Sequence, residues 1–452
     1  MLAPSIQGLS RTFAIRPGEG YRLGVMAALL FLLIAANNLI KILRDSIFLG
    51  HHSVSELPYL YILVALFAGV IIATYTKYTS QVSLIRLILA SNAIIVAMLA
   101  GFWLLLTYFD GAWSHYAFYI WSAMVSIIAV AQLWTLANQL FNPDEGKRLF
   151  GLLAAGGTIG GGAAAFAAKW TLHLSVESDH FLWVVGSIYI TASLLLFMTR
   201  RRLKDLTPDK GGVLTNESAN GAGHNVFAHL AASRYLKTIA TMIFVSVIVS
   251  TLFDFELKTA AKASFPSKSA LAVFFSSYYG WLSVATFFSQ VMLTGKTLNK
   301  LGLGASLYLT PIALLTGAFG IMIWPGLMAP ALTRIADAML RNSIHRSCME
   351  MLYMAVPGRV LKSIKTFLDV VVERVGDASA GFIILLVGFA SLGSYRPYVH
   401  FICVGLIFLW IALIRFLRSG YAEALRQEAL PQEPSLPSGS DAIAQAKHSS
   451  RD

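Results

Sequence analysis

Apolar runs about twenty residues long, broken by short polar or basic stretches, recur from residue 23 to residue 417. A helix needs roughly 20 mostly apolar residues to cross the hydrocarbon of a bilayer, and these runs have that length. They predict twelve spans, near 23–43, 58–76, 83–108, 115–140, 149–171, 181–199, 238–260, 271–293, 302–323, 326–345, 364–391 and 397–417. Within each run hydrophobicity is continuous rather than alternating, which excludes a transmembrane barrel. The predicted fold class is an all-α polytopic membrane protein.

Composition agrees: 56% of the residues are hydrophobic and 13% charged, with a net charge of +12. In a water-soluble chain that charge would suggest nucleic acid, but here it marks topology, so lipid is the expected partner and nucleic acid is not. Arg11, Arg16, Arg22, Lys77, Arg86, Lys147, Arg148, the run Arg200–Lys204, Lys296, Lys300, Arg359, Lys362 and Lys365 fall on one set of alternating loops. The other set carries chiefly Lys169, Lys262, Lys268 and Arg396. The positive-inside rule then puts both termini in the cytoplasm. The first run lacks a small-residue cleavage site and is followed by others, so it reads as a retained span. Thr207 to His224 is polar, Gly-rich and aperiodic, as a linker between two halves would be. The domains expected are a cytoplasmic segment 1–22, a six-helix half 23–203, a linker 204–236, a second half 237–419, and a partly disordered tail 420–452.

An offset of 214 relates the halves, pairing Pro143 with Pro357, Arg201 with Arg415, and Arg44 with Lys258. A parallel six-plus-six repeat with both termini inside is the major facilitator architecture, whose halves rock about a site near the midplane. A carrier is therefore expected rather than a channel.

Polar residues inside the apolar runs are the candidate chemistry. In "KILRDSIF", Lys41, Arg44 and Asp45 share a helix face, and Asn37 and Asn38 extend it a turn deeper. Snorkelling to the interface is the bland reading; a polar stripe lining a hydrated cavity is the functional one. "LFDFELK" repeats the geometry, with Asp254 and Lys258 at i and i+4 and Glu256 well round the helix. Arg334 with Asp337, and Arg374 with Asp377, are i, i+3 pairs deep in later spans, where each unpaired charge would cost roughly 2.5–3.5 kcal/mol. Arg44, Lys258, Arg334 and Arg374 would supply positive field for an anionic substrate, with Asn38 beside them. Asp254 and Asp377 could carry a coupling proton. Asp144, Glu145, Lys147 and Arg148 could pair across the cytoplasmic mouth as a gate.

The glycines of "FGLLAAGGTIGGG" follow no strand and precede no Gly-Lys-Ser/Thr, so a phosphate loop is disfavoured. Gly156, Gly160 and Ala164 instead make a small-residue face for close helix packing. His51 and His52 are adjacent and should point apart on a helix, which disfavours a metal site. Cys348 and Cys403 read as small buried hydrophobes without a disulfide framework. No cofactor is expected, no nucleophile–base set marks an enzyme, and a monomer is expected.

Four patches, taken in order, resemble the ATP/ADP translocases, the nucleotide antiporters of intracellular bacteria and plastids. "ILRDSIFL" resembles that family's "ILRDTKDVL", and "LWTLANQLFNPDEGKRLFGLLAAGG" is similar to its "FANE…EAKRFY…FG.G". "LFDFELK" followed by Phe265-Pro266 resembles "LVEVTWK" followed by Tyr-Pro, and "DVVVERVGDASAG" resembles "DV…R.GKSGG". The family's charged positions fall on Ile47, Gln139, Asp254 and Asp377, so two cations are gone, one of them replaced by an anion. The resemblance implies nucleotide contact at Gln139. The substitutions imply a site that disfavours triply or quadruply charged nucleotides unless Arg44, Lys258, Arg334 or Arg374 compensates.

The combined expectation is a secondary transporter in a bacterial inner membrane, moving a nucleotide or related organic anion by alternating access. A proton-coupled carrier or exporter of a non-nucleotide metabolite is the alternative within transport. A non-transporting membrane scaffold or sensor is the alternative outside it.

Overall fold

A computed structural model describes residues 16, 18–79, 83–109, 111–174, 180–206, 228–324, 326–354, 356, 358–390 and 396–429. The N-terminal segment to residue 15, the linker's 207–227 and the tail's 430–452 lie outside the described residues, as does the side chain of Lys147.

In the first half the helices are α1 (Glu19–His51), α2 (Leu57–Thr79), α3 (Leu84–Tyr108), α4 (Ala112–Leu140), α5 (Pro143–His173) and α6 (Phe181–Leu206). In the second they are α7 (Arg234–Ser264), α8 (Lys268–Phe288), α9 (Thr294–Ile323), α10 (Met328–Leu340), α11 (Arg346–Tyr353), α12 (Gly358–Thr366), α13 (Glu373–Ala390) and α14 (Arg396–Ala429). π-turns at Ser289–Leu293, Arg341–His345 and Phe367–Val372 join α8 to α9, α10 to α11 and α12 to α13. Among the described residues nine stretches are long and apolar enough to cross a membrane. One of them, Lys268–Ile323, holds two passes of the chain, which separate at Gly302 with φ 71°. The chain is thus a multi-pass α-helical membrane protein.

Local chemistry sets several boundaries. Asn142 and Glu145 form a capping box around Pro143 at the first turn of α5, and Glu145 Oε2 accepts the Asn142 N–H at 2.9 Å. The Ser233 and Ser267 hydroxyls cap α7 and α8, accepting N–H groups of Leu236 at 3.3 Å and Ala270 at 3.2 Å. Two pairs of helix starts are 215 residues apart, one more than the offset of 214 read from the sequence: α7 after α1 (234 − 19) and α14 after α6 (396 − 181).

With helices joined by a π-turn taken as one span, and α9 divided at Gly302, successive spans run in opposite directions, giving the bundle two ends. One holds Arg22, Leu140, Asn142 and Arg234, and the Arg22 guanidinium donates to the Leu140 carbonyl at 2.7 Å. The other holds His51, Ala112 and Lys268, and the His52 ring meets His115 at 3.2 Å. At the His51 end Tyr108, Phe109, Trp113, Trp170 and Trp324 are strongly exposed, forming an aromatic girdle at a helix-end level where an interface would lie. Elsewhere Leu66, Val70, Phe382, Phe389 and Phe416 are exposed on outward faces, as lipid contact requires and water would not favour.

The halves meet along α1 and α5 against α8, and along α2 against α13. Two glycines show how tight the packing is, one within the first half and one between the halves. A Cβ on Gly160 of α5 would sit 2.3 Å from the Phe31 carbonyl oxygen of α1, and one on Gly381 of α13 would sit 2.7 Å from the Pro58 carbonyl oxygen of α2. Only a residue without a side chain permits that approach.

Candidate functional site

α1 continues past the predicted residue 43 to His51, so Arg44 and Asp45 lie inside the packed bundle rather than at its rim. Asp45 is completely buried and pairs with Arg44 at 2.9 Å. Its carboxylate also accepts the Tyr279 hydroxyl of α8 at 2.8 Å and lies 3.4 Å from Lys258 Nζ of α7. Lys258 pairs with Asp254, one turn earlier, at 2.8 Å and donates to the Tyr119 hydroxyl of α4 at 3.1 Å. Asp254 accepts the Tyr61 hydroxyl of α2 at 3.1 Å and contacts Arg334 of α10 at 3.4 Å. Arg334 then pairs with buried Asp337 at 2.6 Å, which also takes Ser250 at 2.6 Å and Arg341 at 3.2 Å.

These contacts form one continuous ladder of alternating charge from α1 of the first half into α7 and α10 of the second. A lone charge would be costly at this depth, and each carboxylate accordingly has two or more donors. Three tyrosines, from α2, α4 and α8, cross between the halves to the same carboxylates and ammonium. Arg44 lies over the Tyr119 ring at 4.8 Å, adding a cation–π contact. A charged ligand entering between the halves would exchange its own charge against rungs of this ladder, which couples binding to the separation of the halves.

Arg374 and Asp377 stand on a side branch, paired at 2.8 Å, with Thr251 donating to Asp377 at 2.8 Å and Glu373 3.5 Å from Arg374. Asn38 is 3.4 Å from the Ser283 hydroxyl of α8 and abuts Gly161, a polar contact inside the helix interface one to two turns from the ladder. Gln139 is not brought to this region. It is next to the last residue of α4, at the Arg22 end, about 33 Å along the bundle from Arg44 at the usual helical rise. The residue aligned with the family's glutamate therefore lies apart from the cations it was grouped with.

Of the four charges expected to form a gate, Glu145 and Arg148 make ion pairs within the first half. Glu145 pairs with Arg22 at 2.8 Å and Arg148 with Glu19 at 2.7 Å, so both bonds tie α5 to α1 within the first half. Asp144 is exposed. Glu19 and Arg22, which sequence reading passed over as loop charges, are the partners, because α1 starts four residues earlier than the apolar pattern does. His51 and His52 do not point apart. The helix ends at His51, His52 turns into extended backbone, and both rings reach His115, one stacked at 4.3 Å between centroids and the other 3.2 Å away. Among the described residues no group of His, Cys, Asp or Glu could hold a metal ion. Cys348 and Cys403 are buried free thiols.

Sequence reading missed Tyr61, Tyr119, Tyr279, Ser250 and Arg341. A tyrosine or serine in an apolar helix has no pattern of its own, and only "SSYYG" at Ser276–Gly280, a polar cluster inside a span, offered a signal.

Comparison with known proteins accords with this layout. The profile of the TLC ATP/ADP transporter family matches residues 84–339 and 328–421. A chloroplastic ADP,ATP carrier protein 2 of Arabidopsis thaliana is 24% identical over 363 residues, covering 71% of this chain and 57% of that protein. The chain thus spans little more than half the length of that relative. The ADP,ATP carrier protein 2 of Chlamydia pneumoniae is 24% identical over 389 residues, 75% of this chain and 71% of that one. Among solved structures, the nucleoside transporter NupG superposes with a TM-score of 0.62 at 14% identity, covering 86% of this chain and 99% of that one. At that identity the likeness speaks to architecture alone, and the architecture is of the major facilitator type. Since the matched profile runs from residue 84 to 421 of 452, the chain belongs to the TLC ATP/ADP transporter family.

Proposed function

We propose that this protein is a secondary transporter of a bacterial inner membrane, exchanging a nucleotide or related organic anion between its two halves by alternating access. Its termini would face the cytoplasm, which makes the Arg22 end cytoplasmic and the His51 end external, and a monomer would suffice. The observation that carries this reading is the buried ion ladder from Asp45 through Lys258 and Asp254 to Arg334, which joins the halves through bonds a charged ligand could replace. The curated relatives, by their names carriers of ADP and ATP, supply the nucleotide class. In proteoliposomes loaded with unlabelled nucleotide, labelled nucleotide should enter without any proton gradient. Uptake that requires a pH gradient and ignores competing nucleotides would overturn it.

That second outcome would favour a proton-driven carrier of another metabolite. Asp377 is the observation behind it, a carboxylate off the main ladder that stands where the family's motif has a lysine. Asp377→Asn would then abolish gradient-driven uptake while leaving exchange of internal for external substrate intact.

A further inference from the structure

The cations expected to compensate for the lost family lysines are already engaged. Arg44 is held by Asp45, Lys258 by Asp45 and Asp254, Arg334 by Asp254 and Asp337, Arg341 by Asp337, and Arg374 by Asp377 and Glu373. Lys41 differs. It lies one turn from Arg44 on α1, half-buried, and its charged neighbours are Arg44 and Asp45 of its own helix and Arg334 and Asp254 of the second half. It shares the α1 face of Arg44 and Asp45, which meets Tyr279 and Lys258 of the second half, yet it forms no ion pair or hydrogen bond among the described residues.

Charge counting bounds the ligand. The ladder with Lys41 has five cations (Lys41, Arg44, Lys258, Arg334, Arg341) against three carboxylates (Asp45, Asp254, Asp337), a surplus of two. The side branch of Glu373, Arg374 and Asp377 lowers that surplus to one. An anion placed in a low-dielectric site is best held when its charge matches that surplus, because each further charge stays uncompensated. A phosphate monoester carries about 1.5 to 2 negative charges near neutral pH, which the ladder's own surplus balances and which exceeds the surplus with the side branch by one at most. A nucleoside triphosphate carries more than the site can balance.

We infer that Lys41 is the docking cation of this carrier and that its ligand is a phosphate monoester, with a nucleoside monophosphate as the first case, rather than a nucleoside di- or triphosphate. This rests on the transport reading above and names its substrate class. The lysine immediately precedes the "ILRDSIFL" patch that resembles the translocases. The pairing Arg44–Asp45 holds Arg44 back, so Lys41 meets the phosphoryl oxygens first, while the tyrosines Tyr61, Tyr119 and Tyr279 offer hydroxyls and ring faces to the remainder.

The test uses the full-length chain in proteoliposomes and, in parallel, in detergent, with AMP, glycerol 3-phosphate, inorganic phosphate, ADP and ATP as probes. AMP should compete for uptake and raise the unfolding temperature at concentrations about tenfold below those at which ATP does. Glycerol 3-phosphate acting as well as AMP would mean that the monoester alone is read; its failure would mean that the nucleoside is read too; either fits the inference. Lys41→Gln should weaken AMP about tenfold without lowering the unfolding temperature of the ligand-free protein, and Lys41→Arg should restore binding. ATP or ADP binding as tightly as AMP, or Lys41→Gln leaving AMP affinity unchanged in a folded protein, would overturn it. Exchange of ATP for ADP alone would sink this inference and leave the transport reading standing, whereas no exchange of any anion would sink both.

Discussion

Lys258 stands between two carboxylates, Asp45 and Asp254, with almost no access to solvent. Its removal would leave both carboxylates facing each other in a dry interior, and breaking such a pair costs about 3–5 kcal/mol. Lys258→Met should therefore lower the unfolding temperature sharply, and Asp254→Asn in the same background should recover part of the loss, because Asp254 keeps only the longer contact with Arg334 whereas Asp45 stays paired with Arg44. Equal stability of Lys258→Met and the parent protein would contradict the ladder. Tyr279→Phe removes one donor from Asp45 and should cost about 1–3 kcal/mol by the same readout. At this scale the sequence revealed the pairs within one helix, Asp254–Lys258, Arg334–Asp337 and Arg374–Asp377, because three- and four-residue spacing brings their side chains together whatever the fold. It could not reveal Asp45 against Lys258, 213 residues away (258 − 45), since only the docking of the halves makes that contact.

Among the elements, α5 is the one whose residues most constrain its neighbours. Its glycines let α1 approach to backbone contact, and Gly160→Leu would drive a side chain into the Phe31 carbonyl. Overpacking of this kind costs about 1–3 kcal/mol where neighbours can shift, and more here because the obstacle is backbone. Folded yield should fall, and Gly151→Leu, where a Cβ meets open space, should be tolerated. The packing role of this glycine run was readable from its small-residue spacing, but its partner was not. The charges at the start of α5 lead to a different expectation. Because Arg22–Glu145 and Arg148–Glu19 lie within one half and are partly exposed, Glu145→Gln or Arg148→Gln should cost about 0.2–1 kcal/mol and leave transport within twofold of the parent. A tenfold loss of exchange with unchanged stability would restore them as a gate. Sequence reading took these charges for partners across a mouth because it placed them at one end of the helices but not on a face of α5.

For the whole molecule, contact between the halves at the His51 end is the feature that a transport cycle must undo. A Cβ at Gly50 would approach the Lys268 Cβ to 2.9 Å, Gly381 meets Pro58, and the Lys262 ammonium binds the Leu49 carbonyl. Cysteines at Gly50 and Lys268, in a chain whose Cys348 and Cys403 are replaced by alanine, should form a disulfide that blocks exchange until reduced. Exchange that continues with the bridge formed would mean that this end stays shut throughout. The membrane class was legible because bilayer thickness writes directly into the length of apolar runs. The π-turns were not, since a single extra residue in a helical turn leaves no compositional mark. All three that occur among the described residues belong to the second half, and the Ser289 and Ser343 hydroxyls bind two of them together at 2.7 Å. Amide hydrogen exchange should accordingly be faster at 289–293, 341–345 and 367–372 than in the middles of α1 and α5, and uniform protection would refute that. The two halves share a repeat but differ mechanically. Among the described residues one is a set of unbroken rods and the other an articulated frame with its joints already cut, so the bending that the proposed cycle requires would fall to the second half while the first serves as the anvil.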